Sequence, residues 1–465
     1  MERNTVRQGF GGRGMVLGAV LSAGLLLGVP TQASQDEPLD LMAVYQLAVD
    51  QDPAIHQARA RLDRAREATP QARARLLPEL SLSASIEESW EDGTQIGSGP
   101  DGEIGLQDFE SELDTTTYGL ELRQTLFQWD AFVGLDRARA EVAEAEAVFD
   151  GELQDLLIRV AEAYFDKLVA REVLETRRTT REAFEQEKER AEYGLEVGLS
   201  DRTDVEEARA AHDRALADEI AAERQLEVAR EALFELTGRP IREVRQLQRE
   251  IDPQLPEPED MDFWVQRATE MNPELLAAEY VAEASEAAVS QARSGHLPQV
   301  ELTASRQHVE TDGDNPFAVR DTVTDRVGIQ LSMPLFRGGA TRSELREARA
   351  GEREAWQGVK QANREVRSAT RDAYLGIRSG VSQLNALEQA VRSAETAVEA
   401  TEVGVEVGTR STVDLLNARR ELADARAEYA EVRYNFLANR LRLRRSVGEL
   451  SVEYLENLNE LFRDS

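Results

Sequence analysis

The chain has 465 residues, with 88 Asp and Glu against 55 Lys and Arg, a formal net charge of −33, four histidines and no cysteine. This composition excludes disulfides, thiolate metal sites and cysteine nucleophiles, and it argues against a nucleic-acid partner, whose phosphates need clustered cations. His56, His212, His296 and His308 stand singly, without zinc-ligand spacing, and the sequence holds no nucleophile–base set, phosphate loop or metal cluster. Neither an enzyme nor a cofactor is expected.

Residues 1–33 read as an export signal. Arg3, Arg7 and Arg13 precede an apolar run from Met15 to Val29, and Thr31-Gln32-Ala33 supplies small residues for cleavage. The run is short for a spanning helix. Gly9, Gly11 and Gly14 spell a dinucleotide fingerprint inside this signal, with no strand before it, and carry no weight.

The rest of the chain is duplicated. Asp52-Pro53-Ala54-Ile55 recurs as Asn272-Pro273-Glu274-Leu275, and Leu77-Pro78 as Leu297-Pro298, both 220 residues on. Leu126-Phe127 recurs as Leu335-Phe336, 209 residues on. Ala163-Tyr164 recurs as Ala373-Tyr374 and Val197-Gly198 as Val407-Gly408, both 210 residues on. The single drop in offset places a longer inter-strand loop in the first copy. The expected organisation is a first repeat over 34–249, a Pro-rich linker over 250–260, a second repeat over 261–450 and a tail over 451–465.

Each copy begins with short helices and then two alternating runs. Leu80, Leu82, Ala84, Ile86 and Trp90 alternate with Ser81, Ser83, Ser85 and Glu87; Tyr118, Leu120 and Leu122 form the second run. Val300, Leu302 and Ala304, then Val327, Ile329, Leu331 and Met333, repeat the pattern. Period two with one apolar face predicts four strands of up to about ten residues, long enough for tilted membrane strands. An ordinary half-buried sheet has the same periodicity. The segment 87–114 carries ten acids and no Lys or Arg, and with 310–321 it reads as solvated loop. Asp312-x-Asp314 lacks the rest of a calcium loop.

Two proline-free stretches, about 129–197 and 338–407, keep helical periodicity for about seventy residues each, roughly 100 Å of helix. Leu135, Val142, Phe149, Leu156 and Ala163 run in sevens, as do Ile377, Leu384, Val391, Val398 and Val405. Each stretch ends at a glycine turn, Gly198-Leu199-Ser200 or Gly408-Thr409-Arg410, and a helix of about thirty-five residues returns. The fold class is therefore mainly α, long antiparallel coiled hairpins with four β-strands. Four strands cannot close a barrel alone, so membrane strands would require several chains.

Taken in order, the duplicated N-P-E-L/D-P-A-I pair, the two L-P and L-F pairs, and the turns Val197 to Val205 and Val407 to Leu416 resemble the TolC family of outer-membrane efflux and secretion ducts. The resemblance covers essentially all of the chain after residue 33. It implies a homotrimer whose strands form a 12-stranded β-barrel on a helical α-barrel. The barrel would sit in outer-membrane lipid with the helices in the periplasm, serving a periplasmic adaptor (membrane fusion) protein and an inner-membrane transporter. It also implies that Thr203, Asp204 and Arg410 form closing links, that Asp414 makes a cation-selective ring, and that the tips Gly198, Leu199, Ser200, Gly408, Thr409 and Arg410 meet the adaptor. Val405 and Asn417 depart from the family pattern, which has a tyrosine and a second aspartate there. From position alone, Thr203, Asp204 and Asp414 equally suit helix caps, and Arg410 a solvated turn. An exported coiled-coil scaffold or adaptor without a barrel is the alternative reading.

Overall fold

A computed structural model of the chain describes residues 38–98, 104–198, 200–248, 251–313 and 319–462. The export signal lies outside the described residues. Residues 38–465 cluster as a single compact unit, so the two repeats share one body.

The first repeat runs α1 (Leu41–Gln51), α2 (Pro53–Arg66), α3 (Ala68–Ala74), β1 (Glu79–Ser98), β2 (Ile104–Phe127), α4 (Trp129–Glu196) and α5 (Arg202–Thr237). The second runs α6 (Met261–Met271), α7 (Pro273–Ser294), β3 (Gln299–Gly313), β4 (Arg320–Ser332), α8 (Ala340–Glu406) and α9 (Thr412–Val447), followed by α10 (Val452–Asn459) and a final 3₁₀ turn at Glu460–Phe462. The long helices have 68 and 67 residues and the returning ones 36 each, as the proline-free stretches predict. The D-P/N-P motifs are helix starts: Asp52 and Asn272 cap α2 and α7, with proline in the first turn where no N–H is needed.

The strands overturn one expectation. The described residues of the acidic segment 87–114 are strand rather than loop: β1 and β2 stay paired from Glu79↔Arg123 to Ser98↔Ile104, 20 and 24 residues long. β3 leaves β2 at Gly313, opposite Leu113, so the outer part of the first hairpin is a free two-stranded ribbon. Acids are poor strand formers by composition, but here they project from both faces into water while the backbone ladder continues beneath them. The Thr115-Thr116-Thr117 run and the Ile96↔Leu106 pair are the β-forming signal that charge concealed. The second exit also differs: β4 stops at Ser332, and Leu335-Phe336 lie in a connector before α8, beside Gly338 and Gly339 at φ 62° and 91°.

All four strands are antiparallel in the order β1-β2-β3-β4, leaving β1 and β4 as open edges. A separate core lies where α4, α8 and α9 meet α1, α6, α10 and the connector between repeats. Tyr164 is fully buried there and donates to the carbonyls of Arg245 (2.7 Å) and Leu39 (3.3 Å). The segment beyond residue 450 is part of this core. Leu455, Leu458 and Phe462 are buried, and the Phe462 ring centroid lies 5.4 Å from that of Tyr164 and 6.1 Å from that of Phe165.

Lys167, 2% exposed, donates to the carbonyls of Ile241 (2.8 Å) and Arg242 (3.0 Å), tying the connector to α4. Burial first, then repulsion from Arg230, push its ammonium down from 10.5 to about 8. Between those two values the unfolded chain holds a proton that the folded chain has released. This group therefore makes stability rise with pH across that window, by at most about 3 kcal/mol, and contributes a constant penalty below it. Lys167→Met is expected to remove that part of the slope in unfolding measured from pH 8 to 10; an unchanged slope would contradict the assignment.

Candidate functional site: the apolar sheet face and the hairpin turns

Register determines what the sheet presents. Leu80, Leu122, Ala304 and Val327 fall in one cross-strand row, and Gln124, Leu302 and Ile329 in another. The opposite face carries Ser81, Ser83, Ser85, Thr117, Thr303 and Ser305 together with the charged Glu121, Arg123 and Glu301. The apolar face is uncovered: Leu82 is 78% exposed, Ile86 83% and Val327 78%. An exposed apolar surface of this kind is not sustained in water and fits lipid, with the polar face turned to a lumen. Polar rows interrupt it: Arg306 and Asp325 stand beside Leu82 and Leu120 and pair at 3.7 Å. Further out, His308 stands beside Tyr118, and Glu310 and Asp321 beside Ile86 and Thr116, with His308 2.6 Å from Asp321. Trp90 and Tyr118 are exposed on this same face. Among the described residues no helix is long and apolar enough to cross a membrane.

At the far end of the helices, both turns are built alike. Gly198 and Gly408 take φ 79° and 74°. Ser200 N–H donates to the Gly194 carbonyl (3.2 Å), and the Thr409 and Arg410 N–H groups donate to that of Gly404 (2.8 and 3.1 Å). A Cβ on Gly194 would lie 2.4 Å from Ser200 Oγ, and one on Gly404 2.6 Å from Arg410 Cγ. These two glycines, 210 residues apart, let the chain fold back; sequence reasoning missed them, although the repeat offset marks them. Leu199 lies outside the described residues.

Both returning helices open with a capping box. Asp201 Oδ1 accepts from Asp204 N–H (2.9 Å), and Asp204 Oδ2 accepts from Asp201 N–H (3.1 Å). Ser411 and Asp414 repeat the exchange at 3.2 and 3.0 Å, and the Ser411 hydroxyl also donates to Asp414 Oδ2 (2.9 Å). The Ser411 backbone N–H first, then its hydroxyl, with a smaller part from Arg410, hold the Asp414 carboxyl below the usual carboxylate range. Asp204 and Asp414 are thus caps as well as candidate site residues, and the sequence signal for their partners was the D-x-x-D and S-x-x-D spacing. Thr203 is exposed in the first turn of α5, and Arg410 is exposed in its turn. Among the described residues of one chain, no ion pair joins Arg410 to Asp204. Asn417 accepts from Arg420 (3.3 Å), and Val405 is half-buried.

Ties within and between hairpins also repeat or run in series. Arg209–Glu192 (3.1 Å) joins α5 to α4, and Arg419–Glu402 (2.6 Å) joins α9 to α8 at equivalent places. Between hairpins, α9 is joined to α4 by Arg445–Asp155 (2.6 Å), Arg442–Glu162 (2.6 Å) and Arg177–Asp424 (2.8 Å), with Tyr434 donating to Glu172 (2.8 Å). Nearer the turns, Leu416 packs on Phe184, Ala211 and Ala215.

Residues 44–239 and 264–449 match the sequence pattern of the family described as outer membrane efflux protein. The chain belongs to this family. Outer membrane protein TolC of Vibrio cholerae is 32% identical over 422 residues, 90% of this chain and 93% of that one. The alkaline protease secretion protein AprF of Pseudomonas aeruginosa is 31% identical over 314 residues, 67% and 64% of the two chains. The crystal structure of the outer membrane protein VceC of Vibrio cholerae shares the fold, with TM-score 0.73 at 21% identity, covering 88% of this chain and 96% of that one. As an outer membrane efflux protein, the chain is an outer-membrane channel with its helical part in the periplasm. The gap between the two matched segments is the connector region, so the family pattern is itself duplicated around it.

Proposed function

We propose that three copies form a passive exit duct for a tripartite efflux pump or a type I secretion system. Their four-stranded sheets close a 12-stranded barrel, and their hairpins continue its wall through the periplasm. The observation that carries this reading is the sheet itself: an exposed apolar face with β1 and β4 as open edges. Lipid does not tolerate open edges, and single-chain barrels start at about eight strands, so the edges are completed by other copies. A scaffold in water would have covered Leu82, Ile86 and Val327.

The duct is closed at the hairpin turns. Thr203 and Asp204 of one hairpin meet Arg410 of another, and three Asp414 carboxylates near the axis hold cations and repel anions. The turns at Gly198–Ser200 and Gly408–Arg410 meet the tip of a periplasmic adaptor, and an inner-membrane transporter supplies the energy. AprF is named for protease secretion and the matching family for efflux, so both export routes fit the chain. Opening separates the links and lets the hairpins move outward. Arg410→Ser is expected to raise single-channel conductance several-fold, with helical content unchanged. Conductance equal to that of the parent protein would show that Arg410 closes nothing.

A further inference from the structure

Part-way along the hairpins, α4, α5 and α9 enclose a cavity of about 360 Å³, bordered by the Arg442–Glu162 tie. α4 contributes Glu162, Asp166, Val169 and Val173, and α9 contributes Glu431, Asn435, Ala438 and Arg442. Both sets follow a four-three-four spacing and so form one stripe along each helix. On α4 the opposite stripe holds Tyr164 and Leu168, which face the core made with α1 and the connector. Phe165, Tyr434 and Ala438 reach from that core to floor the cavity, which opens on the stripe of α4 opposite Tyr164. In a duct, that is the side of the lumen.

Its charges are unbalanced. Arg442 is occupied by Glu162, and no hydrogen bond or ion pair engages Asp166 or Glu431 among the described residues. Partial desolvation and the neighbouring Glu162 push the Asp166 carboxyl up against the pull of Arg442, and among the lining side chains three carboxylates face that one guanidinium. The walls between the carboxylates are apolar, made by Val169, Val173 and Ala438, with the rings of Phe165 and Tyr434 behind them. A chamber with an apolar and aromatic floor and an excess of carboxylates around it complements an organic cation.

We propose that this cavity is a binding station in the duct wall for organic cations with an apolar body, of the quaternary ammonium or phosphonium class. The location in the wall rests on the duct reading; the binding does not. The volume suits one such ion per chain. Asp166 and Glu431 supply the attraction, and Val169 and Val173 exclude water from the body of the ligand.

The test is equilibrium dialysis of the detergent-purified full chain against tetraphenylphosphonium, with tetraphenylborate as the anion of the same shape. The parent protein is expected to bind about one phosphonium per chain. Asp166→Asn/Glu431→Gln is expected to bind it at least about tenfold more weakly, and the borate to bind at least about tenfold more weakly to the parent protein. Both substituted residues are exposed, and unchanged helical circular dichroism identifies a folded variant. Equal binding by parent and variant, or equal binding of the two ions, overturns the proposal. In a planar bilayer, phosphonium on the helical side is expected to lower conductance of the parent and not of the variant. Binding without block overturns the placement in the lumen. Channels without binding overturn the site and leave the duct reading standing, whereas binding by a protein that forms no channel supports the site and fails the duct.

Discussion

Gly448→Ala is expected to destabilise the helical body by about 3–4 kcal/mol, far more than the same change at its repeat counterpart Gly238. Gly448 ends α9 at φ 84°, with the Glu449 N–H donating to the Arg444 carbonyl (2.9 Å) in a glycine-dependent stop. A left-handed conformation alone costs an alanine about 1 kcal/mol. The larger part is steric: a Cβ there would lie 2.5 Å from the Met271 carbonyl oxygen and 3.0 Å from Pro273 Cδ. Both belong to the junction between α6 and α7, where backbone has little freedom to retreat. Gly238 has φ 65°, but its nearest neighbour would be Gln51 Cβ at 3.6 Å, an ordinary contact, so Gly238→Ala is expected to cost about 1 kcal/mol. Thermal unfolding followed by helical circular dichroism at fixed detergent concentration compares the two. Equal losses would mean that the α6–α7 junction does not press on the end of α9.

Asn272→Ala is expected to cost about 3 kcal/mol, because one buried amide serves two tasks. Its Oδ1 accepts from the N–H groups of Glu274 (2.9 Å) and Leu275 (3.2 Å), starting α7, while Nδ2 donates to the buried Ser446 carbonyl (2.9 Å) near the end of α9. The cap accounts for about 1–2 kcal/mol and the orphaned carbonyl for about the same. Asn272→Asp separates the two tasks. It keeps the cap but sets a carboxylate against the Ser446 oxygen, so it too is expected to destabilise. If Asn272→Asp were neutral, the bond to Ser446 would hold nothing together. The counterpart Asp52 caps α2 through Ala54 N–H (3.0 Å) and is held by Arg159 (2.7 Å) rather than by a carbonyl, so an aspartate fits there.

These two positions also show what the sequence made legible. The N-P and D-P pairs were visible as repeat landmarks, and the capping requirement of α2 and α7 is the physical reason they recur. Helix lengths were legible because proline is absent over 129–197 and 338–407, and the turns because glycine follows each stretch. Strand length was not legible. Glutamates and aspartates over 87–114 read as loop, whereas a ladder with both faces in water accepts them. The role of Phe462 was readable in principle from its spacing with Leu455 and Leu458, although the segment's shortness hid it. The ties between α4 and α9 join residues some 250–290 positions apart, which no local pattern reveals. The turns did offer Asp204 and Asp414 as helix caps, a role the capping boxes bear out, but could not separate capping from closing, since a capping aspartate and a closing aspartate have the same spelling.

If Asp204 and Asp414 cap their helices and also close the duct, the two roles are coupled. A carboxylate held by its own helix start is fixed in position before any partner arrives, so a link to Arg410 costs little further ordering. The same fixation gives three Asp414 groups a defined place around an axis. The helical body above, tied by Arg445, Arg442 and Arg177 to α4, provides the stiff wall against which hairpin ends can move.

The most direct test of the duct is single-channel recording of the detergent-purified protein in a planar bilayer, with its mass in detergent measured on the same preparation. A trimer giving small, cation-selective conductance steps is the expected result. Folded protein that never inserts, or that is a monomer without conductance, would contradict the account.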